Sequence, residues 1–563
     1  MDRRNFIKTA SIAGIVSGLC DTTASAATSN AATTGNPQAS CTADTPSNAA
    51  RSGGIGNRPG PMWQLDRAES DQPRQVVIIL GEAIRYDMLN CNRKTGLKTP
   101  NLDRLAEQGI RFTQAYDCQP VCAPARSAVW TGTFPHTNGV WGNSMPMGNT
   151  IHSIGERLHD RGIHCGFIGK WHLSGTDYFD TGIPAPGWDP EYWYDMRSYL
   201  EELSPRERMA SRKPATALHG DWPKEMCYAH RVTNRALSFL EKNKDQEFLL
   251  AVAFDEPHDP SLCPREYVEM YKDYVFPSSP NVNDSLADKP VEQRIWSGKE
   301  LHALQRPIRA DLYFGAHTFV DHEIGRILDE IERVAPNALI IYTADHGLFL
   351  ESHRLEGKGP AMYQEITHIP FMVKWPGHAP ANVASKSLVS HVDIAATMMD
   401  YFGFEVPGTL EGCSMLPMFK NPEAEVRKEV FIEFGRYEID HDGFGGFQCI
   451  RCICDGRYKL AINLMVTDEL YDLESDPAEM NNLIDSQEHA SIRNDLHDRL
   501  LNWMNTSRDP FRGYYWGRRA WRPDFPETWQ NAGMTRQMEN DGYLPRELDY
   551  ATGLTMVDAT RPK

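Results

Sequence analysis

A basic surplus is missing from this chain. Its 58 lysines and arginines stand against 76 aspartates and glutamates, a formal charge of −18. A protein that wraps nucleic acid needs a basic face to displace counterions, so that class of partner is excluded, and any anionic ligand must meet a locally positive pocket. A membrane-length apolar run is missing too. The longest candidate, in the opening MDRRNFIKTASIAGIVSGL, is broken by Gly14, Ser17 and Gly18 and is too short and polar to form an integral membrane span. No internal repeat is visible, which sets aside solenoids and propellers.

What that opening does contain is Arg3-Arg4, then Phe6, Ile7 and Lys8, a mild apolar stretch, and small residues at Ala24 to Ala27 that offer a cleavage site. It looks like a bacterial twin-arginine signal over residues 1–27, which predicts an exported, periplasmic or secreted protein. A lipoprotein reading of Cys20 is weakened by the bulky Leu19 before it. Residues 28–71 begin rich in Ala, Thr, Ser, Asn and Gly without hydrophobic period, and read as a disordered tether. Twelve cysteines in an exported protein would suggest disulfides, but twin-arginine substrates fold before export, in a reducing compartment. Cys449, Cys452 and Cys454 lie in a strand-like run whose alternate side chains face opposite ways, so they read as small buried residues rather than a metal knuckle.

With 563 residues and 41% hydrophobic content, the chain has material for one large domain and a smaller one. Short apolar runs at Gln75–Leu80, Ile163–Ile168, Phe248–Phe254 and Ala338–Thr343 alternate with helical patterns such as TPNLDRLAEQG and DLYFGAHTFVDHEIGRILDEIERV. In the first of these helices Thr99 is the expected cap, Pro100 opens the first turn and Gly109 follows the end. Alternation of this kind predicts an α/β fold, a large mainly parallel sheet sandwiched by helices, over residues 72–425. Over residues 426–563 the pattern changes to closely spaced short strands, EVFIEF, FQCIRCI and YKLAINL, then a helix near Glu488–Met504: a smaller antiparallel sheet plus one helix. The tail GYYWGRRAWRPDF carries enough rings and arginines either to line a substrate cleft or to fill grooves as a wrapping arm.

In open α/β sheets ligands bind beyond the carboxyl ends of the strands. There the sequence places Glu82; Lys170 and His172 in GKWHL; His258 in DEPHDP; and Asp345 and His346 in ADHG. Taken singly, Asp345-His346-Gly347 could be a turn, Glu82 a helix cap and His258 a loop residue; together they point to a site. His317, Asp321 and His322 sit at helical spacing in a long amphipathic helix and read as ordinary helix residues, whereas His353 in ESHRLEGKGP is a candidate to face substrate. The stretch PVCAPARSAVWTG leaves Cys122 open as a reactive thiol, a metal ligand, a core residue or a modification site.

The ordered set CAPAR with SAVWTG, TPNLDRLAEQGIRF, GKWHL, PHDP, TADHG, GKGPAMYQEITHIPFMVKWPG and ELYDLESDPAEMNNL resembles the type I sulfatases of the alkaline phosphatase superfamily. That resemblance implies that Cys122 is oxidised to formylglycine by a formylglycine-generating maturation enzyme that reads Pro124 and Arg126, and that Arg126 then holds the nucleophile. It implies Glu82, Cys122, Asp345 and His346 as metal ligands, an oxygen-rich set that fits Ca2+ or Mg2+ better than zinc. Lys170 and Lys358 would grip sulfate oxygens, His258 would protonate the leaving alcohol, and His172 would take the proton that lets sulfate depart. The expected substrate is a sulfated carbohydrate. A phosphonate or phosphodiester hydrolase shares the fold, and a noncatalytic carbohydrate-binding relative is the alternative outside enzymes. The chain departs from the family at LGEAIRYD, where an Asp pair is usual and Glu82-Ala83 stands, and at Leu348, where an acid is common.

Overall fold

The computed structural model describes residues 72–525, apart from residues 177, 215, 217–221, 299–309 and 439–447, together with 546–548, 552, 554–555 and 560–562. The expected signal and tether, residues 1–71, lie outside the described residues. No described helix is long and apolar enough to cross a membrane.

Seven strands form the large sheet: β1 (Gln75–Gly81), β2 (Ile110–Tyr116), β3 (His164–Gly169), β4 (Phe248–Ala253), β5 (Leu339–Ala344), β6 (Phe371–Lys374) and β7 (Val383–Ser390), in the order β3-β4-β1-β5-β6-β2-β7. The pairs β3/β4, β4/β1, β1/β5 and β2/β7 are parallel, and β6 runs antiparallel to both β5 and β2. Every residue of β1, β4 and β5 is buried. Covered on both faces, such strands must be apolar at successive positions, which is why they read as unbroken runs. Helices Tyr228–Asn243, Asp311–Val334 and α1 (Pro100–Glu107) pack together as one layer, and α2 (Cys122–Thr131), Ile154–His159 and Asp393–Tyr401 as another.

The smaller sheet is antiparallel, β11-β10-β9-β8, built from β8 (Val430–Phe434), β9 (Ile450–Cys454), β10 (Tyr458–Asn463) and β11 (Glu469–Asp472), with the helix Ala490–Thr506 against β9 and β10. Asp455-Gly456 turns β9 into β10: Gly456 takes φ +94°, and the Asp455 carboxylate accepts the amides of Arg457 and Tyr458. Glu433 N–H in β8 donates to the Cys118 carbonyl at 2.8 Å, so the small sheet docks beside the segment that leads into α2.

Two local expectations change. Thr99 occupies the cap position of α1 without a side-chain bond. The Asp321 carboxylate, from the long helix, caps α1 instead, accepting from Asn101 N and Leu102 N at 3.1 and 2.8 Å. Gly109 is required by close approach rather than by a turn: a Cβ there would lie 2.1 Å from the Val373 carbonyl oxygen of β6. The tail packs on its own subdomain. Trp516 is buried, Arg519 pairs with Asp468 at 2.8 Å, Arg522 pairs with Asp498 at 2.7 Å, and Trp521 Nε1 donates to Asp468. Every described cysteine is a free thiol, and Cys452 and Cys454 lie in a different apolar cluster from Cys449.

Candidate active site

The four strands whose ends carry the candidate residues are neighbours in the sheet, β3-β4-β1-β5, so their carboxyl ends open on one crevice. Glu82 leaves β1, Lys170 and His172 leave β3, Asp255 and His258 leave β4, and Asp345 and His346 leave β5. Gly169 makes the tightest of these exits. It takes φ +128°, and a Cβ would stand 1.9 Å from the Ala253 carbonyl oxygen, the same oxygen that accepts the Lys170 amide at 2.8 Å.

Cys122 is the first residue of α2, and Arg126, four residues on, lies on the same helix face. Both are buried. The Arg126 guanidinium clips three strand ends together: Nε donates to Asp345 Oδ2 at 3.1 Å, Nη1 to the Lys170 carbonyl at 2.8 Å and Nη2 to Glu82 Oε2 at 2.7 Å. Lys170 Nζ pairs with Glu82 Oε2 and with Asp255 Oδ1, both at 3.0 Å. Lys358 Nζ lies 2.6 Å from Cys122 Sγ and 2.8 Å from His346 Nε2.

The electrostatics follow from that crowding. Burial alone would push the Glu82 carboxyl up, but Lys170, Lys358 and Arg126 hold it well below the usual carboxylate range. Burial and the Glu82 charge push the Cys122 thiol up, yet Lys170, Lys358 and His346 outweigh them and bring it down to about 5. Asp345 goes the other way, to about 6, raised by burial and by Glu82. Burial and the Lys170 charge lower both His172 and His258. His172 sits in the left-handed region at φ +62°, and its buried Nδ1 has no hydrogen-bond partner.

One oxygen or nitrogen each from Glu82, Asp345 and His346, with Cys122 Sγ, lie within 4.8 Å of one another, all buried. His346 Nδ1–H donates to the Gly347 carbonyl at 2.8 Å, which leaves Nε2 as the lone pair facing the cluster. The cluster already attracts a cation, since the Lys358 ammonium sits against two of its four atoms. This donor set fits a divalent metal ion. At the departure from the family pattern, Ala83 supplies its backbone in place of a carboxylate. It takes φ +49°, and its N–H donates to Asp345 Oδ1 at 3.0 Å.

All the candidate catalytic and metal residues meet here except in the case of His353, offered as facing substrate. Its side chain is buried, stacks on Tyr363 with centroids 3.7 Å apart, and donates from Nδ1 to Asp284 at 2.7 Å. Sequence reading missed Asp255, the second carboxylate on Lys170, whose only signal is its place directly after Phe254. It also missed Asn143, whose Oδ1 accepts the Ala123 amide at 3.0 Å, and Tyr178, which stacks on His258.

Similarity to known proteins gives the family. The family model described as Sulfatase matches residues 74–404, and the model for the C-terminal part of N-sulphoglucosamine sulphohydrolase matches residues 353–506. The chain is 41% identical over 493 residues to the uncharacterized sulfatase YidJ of Escherichia coli, covering 85% of this chain and 96% of that one. It is 26% identical over 530 residues to an N-acetylglucosamine-6-O-sulfatase of Bacteroides thetaiotaomicron, covering 84% and 92%. Among solved structures, a protein in complex with its substrate D-glucosamine-2-N,6-O-disulfate superposes with a TM-score of 0.63 at 22% identity, covering 78% of this chain and 99% of that one.

Proposed function

The chain belongs to the sulfatase family of the alkaline phosphatase superfamily and is a sulfuric ester hydrolase; from that premise we propose that it is exported and removes sulfate from a sulfated carbohydrate, after conversion of Cys122 to formylglycine. One observation carries the chemical part of the reading: Cys122, Arg126, Lys170, Lys358, Glu82, Asp345 and His346 form one buried contact network at the ends of four adjacent strands. The N-acetylglucosamine-6-O-sulfatase relative supports a sugar substrate, and the Arg3-Arg4 opening supports export.

When formed, formylglycine supplies as its hydrate one oxygen to attack sulfur and a second hydroxyl that allows sulfate to be expelled. A Ca2+ or Mg2+ ion held by Glu82, residue 122, Asp345 and His346 would supply positive charge against the sulfate oxygens. The chain's own residues do the rest. Lys358 and Lys170 place two fixed cations beside residue 122, so negative charge that grows during attack finds them already oriented. Arg126 locks Glu82 and Asp345 in position. His258, half-buried at the end of β4, is placed to give a proton to the leaving alcohol, and His172, just past β3, to take one when sulfate departs.

The test is release of inorganic sulfate from a panel of sulfated saccharides by protein co-expressed with a maturation enzyme, with a phosphonate monoester and a phosphodiester in the same panel. Peptide mass analysis of residue 122 accompanies it. Sulfate release with an aldehyde at residue 122 is the expected result. Faster turnover of the phosphorus esters, or full activity with an intact thiol, refutes the reading.

A further inference from the structure

His258 has little of its own to hold it. Its ring is half-buried, and within its loop the one side-chain hydrogen bond is from Nδ1–H to the neighbouring Asp259 carbonyl at 3.1 Å. A proton donor that must meet a leaving oxygen within hydrogen-bond reach needs a fixed ring plane.

That plane is set from the adjacent strand. After β3 the chain makes a turn that Asp180 closes: its carboxylate accepts the His172 amide at 2.6 Å and the Ser174 hydroxyl at 2.8 Å. The closed turn lays the Tyr178 ring on the His258 imidazole, centroids 4.9 Å apart and planes 29° apart. The same ring meets His172 edge-on at 6.2 Å, and Lys170 Nζ stands 5.5 Å from its centroid. Arg212 braces the arrangement. Its guanidinium carbon lies 5.2 Å from the Tyr178 centroid and 5.1 Å from that of Phe179, and its Nη2 reaches the Asp259 carbonyl at 3.4 Å. One phenol ring therefore touches every imidazole of the site outside the metal cluster, and one arginine spans from it to the loop of His258.

We propose that Tyr178 is a positioning residue for leaving-group protonation: it fixes the His258 ring plane by stacking, with Arg212 as its brace. This inference rests on the reading of His258 as the proton donor.

The experiment uses the matured, metal-loaded enzyme and a series of sulfate esters, from a nitrophenyl sulfate, whose leaving group hardly needs a proton, to phenyl sulfate and a sulfated saccharide. General acids contribute on the order of 10²–10⁴-fold, so Tyr178→Leu should lose roughly 10- to 100-fold on the saccharide and far less on the nitrophenyl ester. Tyr178→Phe keeps the stacking ring and should restore saccharide turnover. In a His258→Ala background, Tyr178→Leu should add little further loss, because the two residues act as a unit. Arg212→Ala, nearer the rim, should show the same leaving-group signature at smaller amplitude and stands in should Tyr178→Leu fold poorly. Equal loss across the series, or full additivity with His258→Ala, overturns the inference. If His258→Ala itself shows no leaving-group dependence, the reading of His258 falls and takes this inference with it; a steep His258→Ala series beside flat Tyr178→Leu and Arg212→Ala series overturns the inference alone.

Discussion

Replacing Arg126 by lysine keeps the charge and removes the fork. In the folded site three donors of one planar group reach Asp345 Oδ2, the Lys170 carbonyl and Glu82 Oε2, three acceptors on the ends of β5, β3 and β1. A lysine ammonium is a single point on a shorter arm and can meet one of these, so two bonds are lost. Bonds to charged groups contribute about 1.5–3 kcal/mol each, which puts the loss at roughly 3–6 kcal/mol; retention of the positive charge places the expectation at the lower end. Arg126→Met removes the charge as well. Breaking a buried pair by deleting one partner costs about 3–5 kcal/mol, and here Glu82 keeps Lys170 while Asp345 keeps the Ala83 and His346 amides, so about 5 kcal/mol is expected rather than a sum over both carboxylates. The assay is urea unfolding of metal-free protein followed by tryptophan fluorescence, with the wild-type slope fixing the conversion to free energy. Added Ca2+ or Mg2+ should restore Arg126→Met more than Arg126→Lys, because a cation on Glu82 and Asp345 replaces charge but not geometry. Arg126→Lys within about 1 kcal/mol of wild type would show that the fork is not what holds the strand ends together.

Glu82→Ala should lose metal affinity and turnover in parallel, read as metal content and activity on the same samples; full activity at trace metal removes Glu82 from the ligand set. Ala83→Asp should be tolerated, since aspartate accepts the left-handed region at φ +49° better than alanine does, and should tighten divalent metal binding measured by calorimetry. Asp180 is held at about 6, raised by burial against the pull of the His172 amide, so its contribution to stability is fully present below its unfolded value of 3.8 and is lost as pH rises through about 6. Asp180→Asn should flatten the stability profile between pH 4 and 6 by about 3 kcal/mol; an unchanged profile refutes the assignment. Truncation from Arg512 onward should abolish folding rather than saccharide specificity, checked by circular dichroism, because Trp516 is buried and Arg519 and Arg522 pair with Asp468 and Asp498.

The central strands were legible because burial on both faces forces an apolar residue at every position, as in QVVIILG and FLLAVA. Where that pressure relaxes, the signal fades. β2 reads IRFTQAY with Arg111, Thr113 and Gln114 only half-buried, and β6 is four residues long, so neither stood out as a strand. The candidate site was legible for the same topological reason, since reading just past each apolar run lands on Glu82, Lys170, His258 and Asp345. His353 was misread because its place in ESHRLEGKGP says nothing about direction. The residues Leu350, Glu351, His353 and Arg354 all take positive φ, and that path turns the imidazole inward onto Tyr363. Tyr178 left no trace in the sequence, because its meaning lies in a contact between two loops whose strands are adjacent in the sheet but far apart in the chain.

The acidic composition and the anionic substrate are reconciled locally. Around residue 122 the buried cations Arg126, Lys170 and Lys358 face the carboxylates Glu82, Asp345 and Asp255, three against three. Two of those cations lie within 3.0 Å of two carboxylates each: Arg126 by Glu82 and Asp345, and Lys170 by Glu82 and Asp255. Lys358 stands 3.9 Å from Glu82 and lies closer to Cys122 Sγ, whose thiol is brought down to about 5, and to His346 Nε2. Glu82 is held well below the usual carboxylate range and Asp345 is raised to about 6, with Arg126 bridging the pair. Such a balance lets a divalent cation enter on Glu82 and Asp345 and leaves Lys358 to follow the incoming anion, so the crevice becomes positive when metal binds although the protein as a whole carries −18.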